Sequence, residues 1–320
     1  QLMLLIGFAI KAAVFPMSSW LPDSYPTAPA PVTAVFAGLL TKVGIYAIIR
    51  TQTLLFPGSP LTELLMWAAL FTMVVGILGA VAQSEIKRML SFTLVSHIGY
   101  MVFGVALATA AGLSGAIFYV VHHITIQTTL FLVAGLIERR GGSTVLDRLG
   151  GLAKLAPVLA VMFFVPAMNL GGIPPFSGFL GKLGLLQAGV EVGSWLAYLL
   201  VAGGVVTSLL TLYAMAKAWN GAFWQTVPER LVPVSGSAGR VVTDLHGRPV
   251  RDEAPDPSDR TPGDPRPLPV AMMWPTAALV VLGSALTLLA GPLYDFTDRA
   301  AHDLRERTPY IEAVLPGGEP

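Results

Sequence analysis

The sequence contains no cysteine, which excludes disulfides, thiolate nucleophiles and cysteine-held zinc or iron–sulfur centres. It is also poor in charge. Lys, Arg, Asp and Glu make up 12% of the 320 residues, against about 25% in an ordinary soluble domain. Hydrophobic residues account for 54%, and the mean hydropathy is +0.67, so most of the chain is built for lipid. The net charge of +1 offers no basic excess for a phosphate backbone, and no nucleic-acid partner is expected. The five histidines and the acids show no HExxH-like spacing, so neither a metal nor a cofactor is expected. The opening Gln1-Leu2-Met3-Leu4-Leu5 lacks an initiator methionine and the basic segment of a signal peptide. It reads as the interior of a longer protein, with functional residues expected upstream.

What the chain does have is apolar runs. About 20 apolar residues cross a bilayer, and this rule gives about eight spans, roughly 1–22, 30–50, 62–82, 89–109, 113–137, 157–187, 194–219 and 272–292. The sixth is too long for one plain helix. It contains Gly171, Gly172, Pro174 and Pro175, which remove helix hydrogen bonds and block continuation. Pro16 interrupts the first span in the same way. The fold class is therefore an all-α membrane protein with two broken helices. Residues 226–270 differ from the rest, holding 13 charged residues and nine of the 25 prolines, the composition of a disordered linker. The expected organisation is a transmembrane domain at 1–224 (truncated at its start), a linker at 225–270, a final membrane helix at 271–294 and a tail at 295–320. Thirteen basic residues fall in alternate loops on one side, against four opposite. The positive-inside rule makes the richer side, with the linker, cytoplasmic and the tail external.

Three lysines remain inside the membrane: Lys11, Lys42 and Lys182. A lysine at the bilayer centre costs about 2.5–3.5 kcal/mol on insertion scales, so a hydrated or protein-lined interior is expected for each. The alternative is snorkelling, in which the stem lies in lipid and the amine reaches the interface. His97 and the pair His122-His123 also fall mid-span. Tyr119, His123 and Gln127 recur every four residues and share a helix face, while His122, Thr125 and Thr129 form a second polar row. Two readings compete for them. One is structural hydrogen bonding between helices. The other is a proton relay, since histidine titrates near neutrality and a buried lysine can be drawn toward that range. No intramembrane carboxylate balances the lysines; a partner is expected from the upstream part or from another subunit. Pro16-Met17-Ser18-Ser19-Trp20-Leu21 and Pro175-Phe176-Ser177-Gly178-Phe179-Leu180 echo each other at the two breaks, and paired broken helices mark transporters built from repeats.

The segments KAAVFPMSSWLPDSYPTAPAPVTAVFAGLLTKVGIYAIIR, EIKRMLSFTLVSHIGYM and NLGGIPPFSGFLGK resemble the proton-conducting antiporter-like subunits. These are shared by respiratory complex I, membrane-bound hydrogenases and Mrp-type multisubunit antiporters. KAAVFP, YPTAPAPVTAVFAGLLTK and GLIERRGG look closest to the D-type subunits of the Mrp antiporters. The resemblance is dense over residues 1–220 and weak in the last span. It implies a fourteen-helix fold with two inverted five-helix repeats, of which this chain would hold the seventh helix onward. It also implies that Lys11 belongs to the first broken helix and Lys42 is the next relay lysine. His97, His122 and His123 would lie on the central axis, and Lys182 would be the terminal lysine. The family's glutamate partner for Lys11 would lie upstream of Gln1. One departure concerns Gln127, where many relatives carry a lysine; glutamine binds water but carries no proton charge, which shifts the middle of the relay to His123.

The expected function is proton and cation translocation by one subunit of a multisubunit Na+/H+ antiporter in the cell membrane, working with other subunits and without covalent chemistry. The alternative from the resemblance is the equivalent subunit of a redox-driven complex. A third class is a structural membrane subunit whose polar residues only join helices. The linker composition generates a test: deleting Arg240 to Arg266, with enough chain left to join the flanking helices, should preserve complex yield in pull-down and gel filtration, whereas a collapse in yield would show that it docks.

Overall fold

Apolar runs bounded by proline, glycine or hydroxyl residues become the long helices. The computed structural model describes residues 1–226, 242–243, 249–250 and 268–314. Its helices are α1 (Leu2–Ala12), α2 (Trp20–Ser24), α3 (Ala30–Arg50), α4 (Thr62–Ala82), α5 (Ile86–Ala106), α6 (Ala110–Gly141), α7 (Leu152–Leu155), α8 (Pro157–Gly171), α9 (Ser177–Val192), α10 (Trp195–Trp219), α11 (Val270–Leu288), α12 (Ala290–Arg305) and α13 (Thr308–Val314). Local chemistry sets the ends. Pro31 lies in the first turn of α3, where a missing N–H is harmless. Thr109 caps α6 by accepting from Gly112 N at 3.0 Å, and Gly142 ends it in the left-handed region that glycine enters freely.

Six helices among the described residues are long and apolar enough to cross a membrane: Ala30–Leu55, Thr62–Ala82, Ile86–Ala106, Ala110–Gly141, Trp195–Trp224 and Val270–Leu288. The other two expected spans are divided. The run at 157–187 becomes α8 and α9, separated at Gly172–Phe176. The first span ends earlier than Pro16 suggests, because Ala13 already adopts φ 60°. The two breaks share a backbone pattern as well as a sequence echo. At the first, Val14 N donates to Ala9 O and Met17 N to Val14 O; at the second, Ile173 N donates to Met168 O and Phe176 N to Ile173 O. Each pattern follows a left-handed residue, Ala13 or Gly172. The Phe15–Pro16 and Pro174–Pro175 peptides are both cis.

The centre of the bundle is α5, which is buried almost along its length. Small residues permit this. Gly76 of α4 faces Ser96, and a Cβ on Gly99 of α5 would lie 2.6 Å from Met73 N and 2.8 Å from Ala69 O. Ser96 Oγ donates to Met73 O at 2.8 Å. Such close backbone approach is the usual basis of helix association in lipid. Lys87 pairs with Glu138 at 2.6 Å and Arg88 with Asp23 at 2.9 Å, while Lys217 Nζ donates to Val81 O and Gln83 O. All lie at one end of the bundle. At the other end Arg50 stands over the Tyr310 ring at 4.8 Å, and Arg307 reaches Leu54 O.

The segment after α11 is helical as far as Val314. Within it α12 packs along α6: Thr297 Oγ1 meets Ser114 Oγ at 3.2 Å, and Tyr294 stacks on Phe118 at 4.4 Å. Thr297 and Ala301 are fully buried. The expected linker at 225–270 lies outside the described residues except at its edges and at the antiparallel pair β1 (Val242–Thr243) and β2 (Pro249–Val250), with Val242 opposite Val250. The close α4–α5 approach predicts that Gly99→Val destabilises the protein by about 1–3 kcal/mol through overpacking, seen as a lowered thermal midpoint in detergent. Gly291→Ala, whose Cβ would meet nothing within 4 Å, leaves that midpoint unchanged.

Candidate functional site

Polar side chains converge where α3, α5, α6, α9 and α10 meet. His97, His122, His123 and Gln127 are wholly buried, and Lys42 and Lys182 are 5% and 3% exposed. The four-residue spacing of Tyr119, His123 and Gln127 aims that row at α5. His123 lies 5.2 Å from His97 between ring centroids and Tyr119 lies 5.9 Å from it, while Gln127 Nε2 donates to Leu90 O at 2.8 Å. The neighbouring row divides. His122 Nδ1 meets Ser177 Oγ of α9 at 3.0 Å, but Thr125 and Thr129 bond the preceding turn of their own helix and stay outside the cluster.

Lys42 marks one limit of the cluster. Its Nζ donates to Ala37 O at 2.5 Å, a single acceptor for a group with three protons. On α3 and α6, Thr41 Oγ1, both ring nitrogens of His123 and Gln127 Oε1 are buried and make no hydrogen bond to protein. A buried polar atom left unpaired costs about 1–3 kcal/mol, so this part of the cluster is suited to exchanging partners rather than to holding one.

Lys182 marks the other limit and is satisfied. Its ammonium donates to Leu170 O at 2.9 Å, Gly171 O at 3.1 Å and Ser208 Oγ at 3.1 Å. The two carbonyls end α8, where the helix dipole favours a cation, and the Tyr100 ring lies 5.5 Å from the ammonium. Gly172 is needed twice. Its φ is 79°, and a Cβ there would come within 3.1 Å of Lys182 Nζ. Asn169 secures the start of α9 through Gly178 N at 2.9 Å and Ser177 Oγ at 3.3 Å. Thr287 of α11 accepts from Ser177 N at 3.0 Å.

The structure thus brings together six of the expected residues: Lys42, His97, His122, His123, Gln127 and Lys182. Lys11 is not among them; it is exposed on α1. Of the break residues, Gly171 and Gly172 form the Lys182 cradle, whereas Pro16, Pro174 and Pro175 are exposed and shape the chain path. Sequence reasoning missed Tyr100, Asn169, Ser177, Ser208 and Thr211, and it noted Tyr119 only as part of a row. Tyr100 was within reach, since it lies three residues after His97 on the same helix. The α10 hydroxyls carried no such signal.

The family model described as "NADH:quinone oxidoreductase/Mrp antiporter, TM" matches residues 1–211. The D-type Na(+)/H(+) antiporter subunit of Alkalihalophilus pseudofirmus is 38% identical over 314 residues, 97% of this chain and 57% of that protein. Among solved structures, the Mrp complex from Dietzia sp. DQ12-45-1b aligns with a TM-score of 0.82 and 41% identity, covering 97% of this chain and 60% of that one. Respiratory complex I from Thermus thermophilus with bound aureothin aligns with a TM-score of 0.67 and 26% identity, covering 92% and 57%. The chain spans 57–60% of the length of these relatives. With its apolar helices, its two breaks, its buried lysines and a family match across residues 1–211 of 320, this multi-pass membrane protein belongs to the NADH:quinone oxidoreductase/Mrp antiporter transmembrane family.

Proposed function

We propose that the chain is the ion-translocating part of one subunit of a multisubunit sodium/proton antiporter, a secondary transporter component. The observation that carries this reading is the run of buried titratable side chains from Lys42 through His123, His97 and His122 to Lys182. Protons pass along it between lysine and histidine nitrogens through bound water, and charging one site lowers the affinity of its neighbours for a second proton. Lys182, with three acceptors for its ammonium, is the resting place for the charge. His123, with neither ring nitrogen partnered, is the group free to receive and release it. Lys11 serves a further step outside this cluster, with a carboxylate supplied by residues beyond this chain.

Finer points belong to the same proposal. The chain crosses the cell membrane about eight times, twice as broken helices, as part of a fourteen-helix subunit with inverted repeats; the shared backbone pattern at Ala13 and Gly172 supports the repeats. The end holding Lys87, Arg88 and Lys217 faces the cytoplasm. Sodium and protons are the transported ions, and other subunits of the complex complete the route. The similarity to respiratory complex I favours one second reading, the equivalent subunit of a redox-driven complex; co-purifying subunits distinguish the two.

Lys42→Ala and Lys182→Ala, introduced into the full complex, should reduce sodium-driven pH change in inverted vesicles to background while leaving subunit abundance unchanged. Normal transport in both would end the relay reading. A second experiment concerns the α6 face. His123→Ala should abolish most transport, and Gln127→Lys in that background should restore a substantial part by returning a titratable amine one turn away. Gln127→Met removes the bond to Leu90 O while keeping the size. If His123→Ala transports normally while Gln127→Met is inactive, the route does not pass through His123.

A further inference from the structure

His97 stands between the two halves of the cluster, and its surroundings fix which of its nitrogens carries the proton. Its Nδ1 lies 2.8 Å from the Tyr119 hydroxyl, and its Nε2 lies 3.4 Å from Thr211 Oγ1. Thr211 has already committed its own proton, because Oγ1 donates to Thr207 O at 2.8 Å. Toward His97 it can therefore only accept. Nε2 must then carry the hydrogen and Nδ1 must be the lone pair, which receives the Tyr119 O–H. The opposite tautomer would set two lone pairs against each other at Nε2 and Thr211. It would also leave the buried tyrosine hydroxyl without an acceptor, since it makes no other hydrogen bond among the described residues. Buried donors are seldom left unpaired. Every proton in the row Tyr119–His97–Thr211–Thr207 thus points one way.

The contrast with the flanking histidines gives this its meaning. Both nitrogens of His123 and Nε2 of His122 are unpartnered, so each retains a nitrogen open to proton exchange. Neutral His97 has none: one nitrogen is protonated and the other is covered by Tyr119. The groups around it are Tyr119 and His123 of α6, Tyr100 of its own helix and Thr211 of α10; the titratable side chains His122, Lys42 and Lys182 complete the buried cluster. Proton passage from the Lys42–His123 half to the His122–Lys182 half therefore requires the Tyr119 hydroxyl to turn away from Nδ1.

We propose that Tyr119 is a positioning residue that locks His97 as the Nε2–H tautomer and keeps the junction closed to protons until its hydroxyl swings aside. This rests on the relay reading above and adds a gate to it. The step balances: when the hydroxyl turns, Nδ1 accepts a proton from the His123 side and passes that same proton on to the open nitrogen of His122, while Nε2 keeps its hydrogen on Thr211, so the ring returns neutral and in its starting tautomer.

The test uses the intact complex. In 15N-histidine spectra of the complex in lipid nanodiscs, with the His97 signal identified by its loss in His97→Gln, the wild-type ring should show a protonated Nε2 and a hydrogen-bonded, unprotonated Nδ1. In Tyr119→Phe, which keeps the aromatic packing, the Nδ1 signal should lose its hydrogen-bond shift. The sodium-independent decay of a pH gradient in vesicles should accelerate by about fivefold, the scale of one ordinary hydrogen bond. A His97 ring protonated at Nδ1 in the wild type overturns the lock, even if Tyr119→Phe does not assemble. An unchanged leak in a well-assembled Tyr119→Phe overturns the gate. Failure of the relay is read separately, as normal transport by Lys42→Ala and Lys182→Ala, and the tautomer measurement does not depend on it.

Discussion

An ammonium group held inside a bilayer needs acceptors that lipid does not supply, and the arrangement of this bundle follows from that demand. Removing a helix's regular continuation exposes backbone carbonyls, and the second break turns this loss to use. The carbonyls of Leu170 and Gly171 receive the Lys182 ammonium, so the interrupted helix and the buried cation satisfy each other. The neighbouring glycine is then fixed by space as well as by its backbone angle. Asn169, Ser177 and Thr287 hold the start of α9, and that in turn sets the position of His122. Much of the polar interior can be traced outward from that one lysine.

The other lysine shows the same constraint met differently. Lys42 lies within an unbroken helix, where the carbonyls are already used, and it finds only Ala37 O. Thr41 Oγ1 on the same helix and both ring nitrogens of His123 make no hydrogen bond to protein. One half of the cluster is therefore tightly satisfied and the other loosely so. The two buried lysines thus sit in unlike settings rather than equivalent ones.

Most of the fold was legible because the solvent is so selective. In a chain with few charges, an apolar run reads as a helix and a lysine or histidine inside it reads as an internal site, which is how the lysines and histidines of the cluster announce themselves. Legibility failed where the residue type is neutral about its role. Ala13 carries no sign of a left-handed angle, as glycine would, so the sequence points to Pro16 for the first break. The α12 segment reads as a charged tail, since Asp295, Asp298, Arg299, His302 and Asp303 dominate it; the narrow stripe of Leu293, Thr297, Ala301 and Leu304 that meets the bundle is easily overlooked. Hydroxyls were ambiguous for another reason. Thr125 and Thr129 satisfy themselves on their own helix, whereas Ser208 and Thr211 reach across to the cluster, and sequence spacing cannot tell these uses apart.

The contact between Thr287 and Ser177 bears on how the protein is made. Thr287 enters the chain more than a hundred residues after the break that it closes. During synthesis, the earlier helices must wait in the membrane with the first N–H of α9 uncapped and the Asn169 amide short of its contact at Gly283. The second break is thus finished only when α11 arrives. The packing around the Lys182 cradle therefore stays unfinished until α11 has been made, and the earlier helices are held in a provisional arrangement for that interval.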